Sequence, residues 1–134
     1  AARREHIDKV IAPALKRGVW VVCDRFTDAT YAYQSGGSGV AWAKVDALER
    51  WVHPGLQPDL TILFDISPAI GRRRTARKRK RDRFEREQEA YFKRVRRAYL
   101  RRARAKAGRI RVVDARKSLT QVKKELEKIL SSYC

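Results

Sequence analysis

The chain is 134 residues long, the size of one ordinary domain, with 43% apolar and 36% charged residues. That mix, with a mean hydropathy of −0.62, excludes a collagen-like or low-complexity chain, and the longest apolar run, residues 19–23, is far short of a membrane span. The formal charge of +18 points to an anionic partner, and residues 72–111 carry +16 of it, with 20 of the 33 Lys and Arg against four acids.

In chain order, Ile7, Val10, Ile11, Ala14 and Leu15 recur at helical spacing and predict an amphipathic helix over about 3–17. Pro13 predicts a kink or broken turn in it, and Gly18 a stop. The apolar run Val19 to Cys23, ending in Asp24 and Arg25, predicts a buried parallel strand. The Ser35-Gly36-Gly37-Ser38-Gly39 stretch reads as a flexible connector. A helix follows over 41–52, with Val45, Leu48, Trp51 and Val52 on one side, closed by Pro54-Gly55 and Pro58. Residues 60–65 predict a second strand, also ending in aspartate. A helix then starts at about Pro68, a long one runs from Phe84 to about Ala107, a third strand spans Ile110 to Asp114, and a last helix spans 118–131. Short apolar strands alternating with helices predict an α/β fold: a three-layer parallel sheet with helices on both faces. No linker divides the chain, so a single domain is expected.

The opening residues show no charged-then-apolar leader. Two cysteines, Cys23 and Cys134, cannot make a disulfide framework. A reduced cytoplasm is therefore the expected compartment. Cys23 reads as a small core residue, Trp20, Trp42 and Trp51 as core or interface aromatics, and His6 and His53 as ordinary surface or helix histidines.

Asp24 and Arg25 stand at the end of the first expected strand, where open parallel sheets bind ligands. A carboxylate there suits a metal or a hydroxyl, an arginine suits a phosphate, and a plain ion pair is the competing reading. The run from Asp24 through Phe26, Thr30, Tyr31-Ala32-Tyr33-Gln34 and Gly36-Gly37 closely resembles the Asp-Arg-aromatic segment of bacterial thymidylate kinases. Arg3 and His6 before Val10-Ile11, Leu48 to Val52, Pro58 to Asp65, Asp82-Arg83-Phe84-Glu85 and Val113-Asp114-Ala115 resemble further segments of that family, in the family's order.

The resemblance implies a P-loop nucleoside-monophosphate kinase fold and transfer of the ATP γ-phosphoryl group to dTMP, with Mg²⁺, in a homodimer that helix 41–52 could join. It implies that Arg3 holds thymine, Arg25 the dTMP phosphate, Thr30 the base and Tyr33 the sugar, with Gln34 beside them and Asp24 in the same pocket. Glu85 is implied near the metal, with Asp24 a second candidate ligand. A lid over about 72–85 would bring Arg74, Lys78 and Arg83 onto the ATP phosphates, and Asp114 and Ala115 would border the adenine. Ala76 and Arg79 depart from the family's lid pattern, and Arg77 would stand in for the base lost at 76. The remaining bases of 93–111 read as a solvated face that binds nucleic acid only non-specifically.

No G-x-x-x-x-G-K-[ST] phosphate loop is present. In the family that loop would precede Ala1, so the chain resembles the C-terminal two-thirds of such a kinase. Residues 1–134 alone are then expected neither to fold stably nor to catalyse. Two rival readings remain: a basic nucleic-acid-binding protein using the arginine-rich helices of 72–111, and a kinase relative without catalysis.

Overall fold

A computed structural model describes residues 2–75 and 83–133. Helix α1 is continuous through an α-helical turn (Ala2–His6), a π-helical middle (Ile7–Ile11) and a second α-helical turn (Ala12–Lys16). Proline donates no hydrogen bond and crowds the carbonyl four residues back. Here the preceding turn is widened, with the Ala12 N–H donating to the Ile7 carbonyl five residues back. The helix passes Pro13 without the expected break. Gly18, at φ +71°, ends it, and the Val19 N–H donates to the Ala14 carbonyl at 3.1 Å.

Residues 19–23 form no strand, contrary to expectation. A strand needs a hydrogen-bonded neighbour, and no strand among the described residues lies beside this run. Val22 is 95% and Trp20 65% exposed, and Cys23 is exposed rather than buried.

Helix α2 begins as Thr27–Thr30 and continues in π-helical form over Tyr31–Gly37. The expected flexible connector is thus helical through Gly37, with Ser35 and Gly37 buried. The glycines serve packing. A Cβ on Gly36 would lie 2.3 Å from the Ala98 Cβ, and one on Gly37 would lie 2.6 Å from the Tyr91 ring. They let α2 lie directly on α5, Arg83–Ala105. Ala32, Val95 and Ala98 form the core of that contact, with Tyr33, Trp42, Tyr91 and Tyr99 packed against it.

Helix α3 spans Trp42–Val52, and strand β1 spans Thr61–Asp65. Helix α4 spans Pro68–Thr75, β2 Ile110–Asp114 and α6 Leu119–Leu130. Ser118 caps α6 through a reciprocal hydrogen-bond pair with Gln121. Among the described residues the sheet has two strands, β1 and β2, parallel, in a register from Thr61 opposite Ile110 to Asp65 opposite Asp114. The fold is α/β with a parallel sheet, and both α5 and α6 pack on the sheet.

Among the described residues, ionic ties to Asp28 and Asp65 hold this arrangement. Asp28 on α2 is 5% exposed and accepts from Arg102 of α5 at 2.9 Å and from Arg109 at 2.7 and 3.0 Å. Burial alone would raise the Asp28 carboxyl, but the hydrogen bonds and charges of Arg109 and Arg102 outweigh it and hold the group below its ordinary 3.8. At the other end of β1, Arg96 grips Asp65 with both prongs, at 2.6 and 2.7 Å.

Candidate functional site

The turn before α2 is built from residues that the chain cannot place cheaply. Arg25 sits at φ +61°, a left-handed conformation that costs a non-glycine residue roughly 1–3 kcal/mol. The cost is local and the orientation it produces is specific: the guanidinium lies 5.2 Å from the centroid of the Tyr33 ring. Tyr33 in turn meets Tyr99 of α5 edge to face, with centroids 6.2 Å apart. Burial pushes the Tyr99 hydroxyl up to about 12, with Tyr33 adding to the rise and Arg25 opposing it.

A second pair stands one helical turn away. Arg3 of α1 donates to Thr30 Oγ1 at 2.8 Å, and its guanidinium lies 5.4 Å from the Phe26 ring centroid. Thr30 and Tyr33 are three residues apart and share a face of α2. Four residues singled out by sequence, Arg3, Arg25, Thr30 and Tyr33, therefore gather on α2. Gln34 and Asp24 lie beside them, both exposed. This surface offers two guanidinium groups, a hydroxyl and three aromatic rings. It suits a flat polar ring carrying an anionic group.

A second group forms at the C-terminal ends of the strands. Arg74 of α4 donates to the carbonyls of Ala115 at 2.8 Å and Arg116 at 3.2 Å. Arg116 returns to Asp114 through its side chain at 2.8 Å and its backbone N–H at 2.9 Å, and these hydrogen bonds hold the Asp114 carboxyl far below its usual range. Arg74, Asp114 and Ala115 are thus brought to one end of the strands. Arg77 and Lys78 lie outside the described residues. Arg83 and Glu85 fall in the first turn of α5, and their side chains are likewise outside the description.

Among the described residues no three His, Cys, Asp or Glu side chains converge on a point that could hold a metal ion. Mg²⁺ asks for less: it keeps several waters and takes one or two carboxylates beside substrate phosphates. Asp24, exposed next to Arg25, is a carboxylate of that kind.

Sequence reasoning missed several residues that build the site. His53, read as a surface or helix histidine, is 2% exposed. Its Nε2 lies 3.0 Å from Thr27 Oγ1, and its ring centroid lies 5.2 Å from that of Phe26. Phe26 was legible only as the aromatic of the Asp-Arg motif, and Tyr99 only as one residue of the long helix from Phe84 to about Ala107. Asp28, Arg102 and Arg109 resemble solvated charges in the sequence, and their spacing carries no sign of burial. A cavity of about 180 Å³, lined in part by Asp46, Glu49, His53, Gln57 and Arg102, contains none of the residues predicted to bind nucleotide.

The family model described as thymidylate kinase matches residues 1–126. The thymidylate kinase of Bordetella pertussis is 58% identical over 127 residues, which are 95% of this chain and 61% of that protein. The thymidylate kinase of Nitrosospira multiformis is 54% identical over 132 residues, 98% of this chain and 64% of that protein. The crystal structure of the Ehrlichia chaffeensis thymidylate kinase superposes with a TM-score of 0.74 at 29% identity, covering 96% of this chain and 58% of that one. The chain therefore spans about three-fifths of the length of these relatives.

Proposed function

The chain belongs to the thymidylate kinase family, and from that premise we propose that it takes part in phosphorylation of dTMP to dTDP, with ATP as donor, and carries the acceptor-nucleotide site. The observation that carries this reading is the convergence of Arg3, Arg25, Thr30 and Tyr33 around α2. Arg25 binds the dTMP phosphate. Its strained backbone presets the direction of the guanidinium, so little ordering remains to be done on binding. Arg3, held by Thr30 and Phe26, binds the thymine edge, and Thr30 lines the base. Tyr33, braced by Tyr99, packs on the sugar, with Gln34 and Asp24 at the rim.

Phosphoryl transfer requires two anionic groups held in line and the charge between them neutralised. The acceptor side supplies Arg25. The donor side supplies Arg74, held on the carbonyls of Ala115 and Arg116, together with Arg77, Lys78 and Arg83 of the proposed lid at 72–85. Mg²⁺ would be held by Asp24 and Glu85 with the nucleotide phosphates, and supplies neutralisation of phosphate charge when bound. The proposed protein is a cytoplasmic homodimer joined through α3, where Leu48 and Trp51 are 49% and 83% exposed. No helix among the described residues is long and apolar enough to cross a membrane.

The test is Arg25→Ala in the full chain. Loss of a charge-assisted phosphate contact is expected to cost about 2–4 kcal/mol in dTMP binding while ATP binding stays within twofold. Equal weakening of both nucleotides in calorimetry would remove Arg25 from the acceptor site.

A further inference from the structure

We propose that His53 is a positioning residue of the acceptor-nucleotide site: it seats Phe26 and Thr27 so that Arg3 and Thr30 face the base. The inference rests on the acceptor-site reading above and extends it to a residue that touches no nucleotide.

The chain of contacts is short. His53 stands just past α3, where its N–H still donates to the Glu49 carbonyl at 3.0 Å. Its Nδ1 lies 3.3 Å from the Leu56 carbonyl oxygen, and its Nε2 lies 3.0 Å from Thr27 Oγ1. A carbonyl oxygen only accepts, so Nδ1 donates to it, and Nε2 pairs with the Thr27 hydroxyl, which both donates and accepts. Both ring nitrogens are then satisfied in a place where an unpaired one would be costly. One imidazole thus ties the turn after α3 to the first residue of α2, 26 positions earlier in the chain. Thr27 is 1% exposed, so the join is sealed from water.

The same ring also packs on Phe26, and Phe26 carries the Arg3 guanidinium. Arg3 closes the circuit on Thr30, three residues beyond Thr27 on the same short helix. Arg3 is on α1, and nothing in the neighbouring sequence fixes where its long side chain points. Among the described residues its guanidinium meets Phe26 and Thr30, and both belong to the unit that His53 anchors. Without the imidazole, the Phe26 ring and the start of α2 lose a shared brace, and Arg3 loses its orientation before it meets a ligand.

The test compares three variants in the full chain by steady-state kinetics. His53→Ala should raise the dTMP KM at least about tenfold, with the ATP KM within twofold and kcat within about threefold, the signature of lost acceptor binding. His53→Gln can reach Thr27 and should restore the dTMP KM to within threefold of the parent. His53→Asn can reach the Leu56 carbonyl but not Thr27 and should behave like alanine. A second readout needs no turnover: the Arg3 side-chain Nε–H signal in NMR should broaden or vanish in the alanine and asparagine variants and persist in the glutamine variant. An unchanged dTMP KM in His53→Ala, or equal losses for both nucleotides in all three variants, overturns the proposal. The chain carries no phosphate loop, so where the parent does not turn over, the dTMP Kd from calorimetry takes the place of KM with the same expected ratios; a parent that does not bind dTMP sinks the function proposed above, and the Arg3 signal then decides the role of His53. Persistence of that signal in His53→Ala then overturns it.

Discussion

Asp28 and Asp114 are both gripped by arginine, yet they do different work. Asp28 lies between α2, α5 and β1, is 5% exposed, and accepts from Arg102 and Arg109, which are themselves largely buried. Asp114 lies at an open strand end and is paired with Arg116 two residues on, whose side chain is 66% exposed. Both carboxyls are held below their ordinary value. The first stabilises the molecule because removing it would leave two guanidinium groups in a dry interior. The second is screened by water and shapes only its own turn. A lowered carboxyl is therefore no guide to stability by itself, and the solvent around the pair is a better one.

The largest effect should follow from breaking the buried member. A cooperative melt of the parent would overturn the expectation that residues 1–134 alone do not fold stably, and against that melt Asp28→Ala should cost about 3–5 kcal/mol, read in denaturant. The pH dependence sharpens this. A carboxyl lowered on folding stabilises fully above its unfolded value, near 3.8, and the gain is lost as pH falls through the lower folded value. The gap between parent and variant should be constant near neutrality and shrink below about pH 4.

Next is the contact that seats Asp28's helix. Gly36→Ala would set its Cβ against Ala98 and is expected to cost about 1–3 kcal/mol. Ala98→Gly in the same chain should recover most of that loss, which an effect on the unfolded state alone would not allow.

The exposed arginines of α5 give the third contrast. Arg97, Arg101 and Arg104 share the solvent side of the helix, whereas Arg102 points inward. Oligonucleotide binding should be weak and sequence-blind. Arg97→Gln, Arg101→Gln and Arg104→Gln together should reduce the slope of log K against log salt by about 2. Sequence-specific binding that survives moderate salt would instead favour a nucleic-acid-binding role. The smallest effect is expected from Asp114→Asn, which should leave the thermal melt in place.

The parts of the fold that the sequence revealed are those whose partners are close by or pair simply. β1, β2 and the capped α6 appear within one residue of their expected bounds. Residues 19–23 carry the same apolar signal as β1, but that signal reports only a preference for burial. Whether a segment becomes a strand depends on its neighbour, which its own residues do not name. Arg3, Arg25, Thr30 and Tyr33 were legible because the motifs around them resemble a known family. His53 was not, because its burial is created by Thr27 and Phe26, far away in the chain. The glycines at 36 and 37 were misread for a related reason. A glycine that frees the backbone and a glycine that admits a neighbour look alike in sequence.

The widened turns of α2 bear on insertions and deletions. A π-helical stretch spends one residue more per turn than an α-helix of the same rise, so Tyr31–Gly37 holds a residue that the helix could lose without breaking. Its loss would restore the tighter helix, and because an α-helix turns about 100° per residue the tightening makes up most of the rotation that the lost residue carried. A residue gained, or a second one lost, would instead turn Gly36 and Gly37 away from Ala98 and Tyr91 and drive larger side chains into that contact. The tolerance of this segment is thus lopsided: it absorbs the loss of one residue, while any other change of length uncouples α2 from α5.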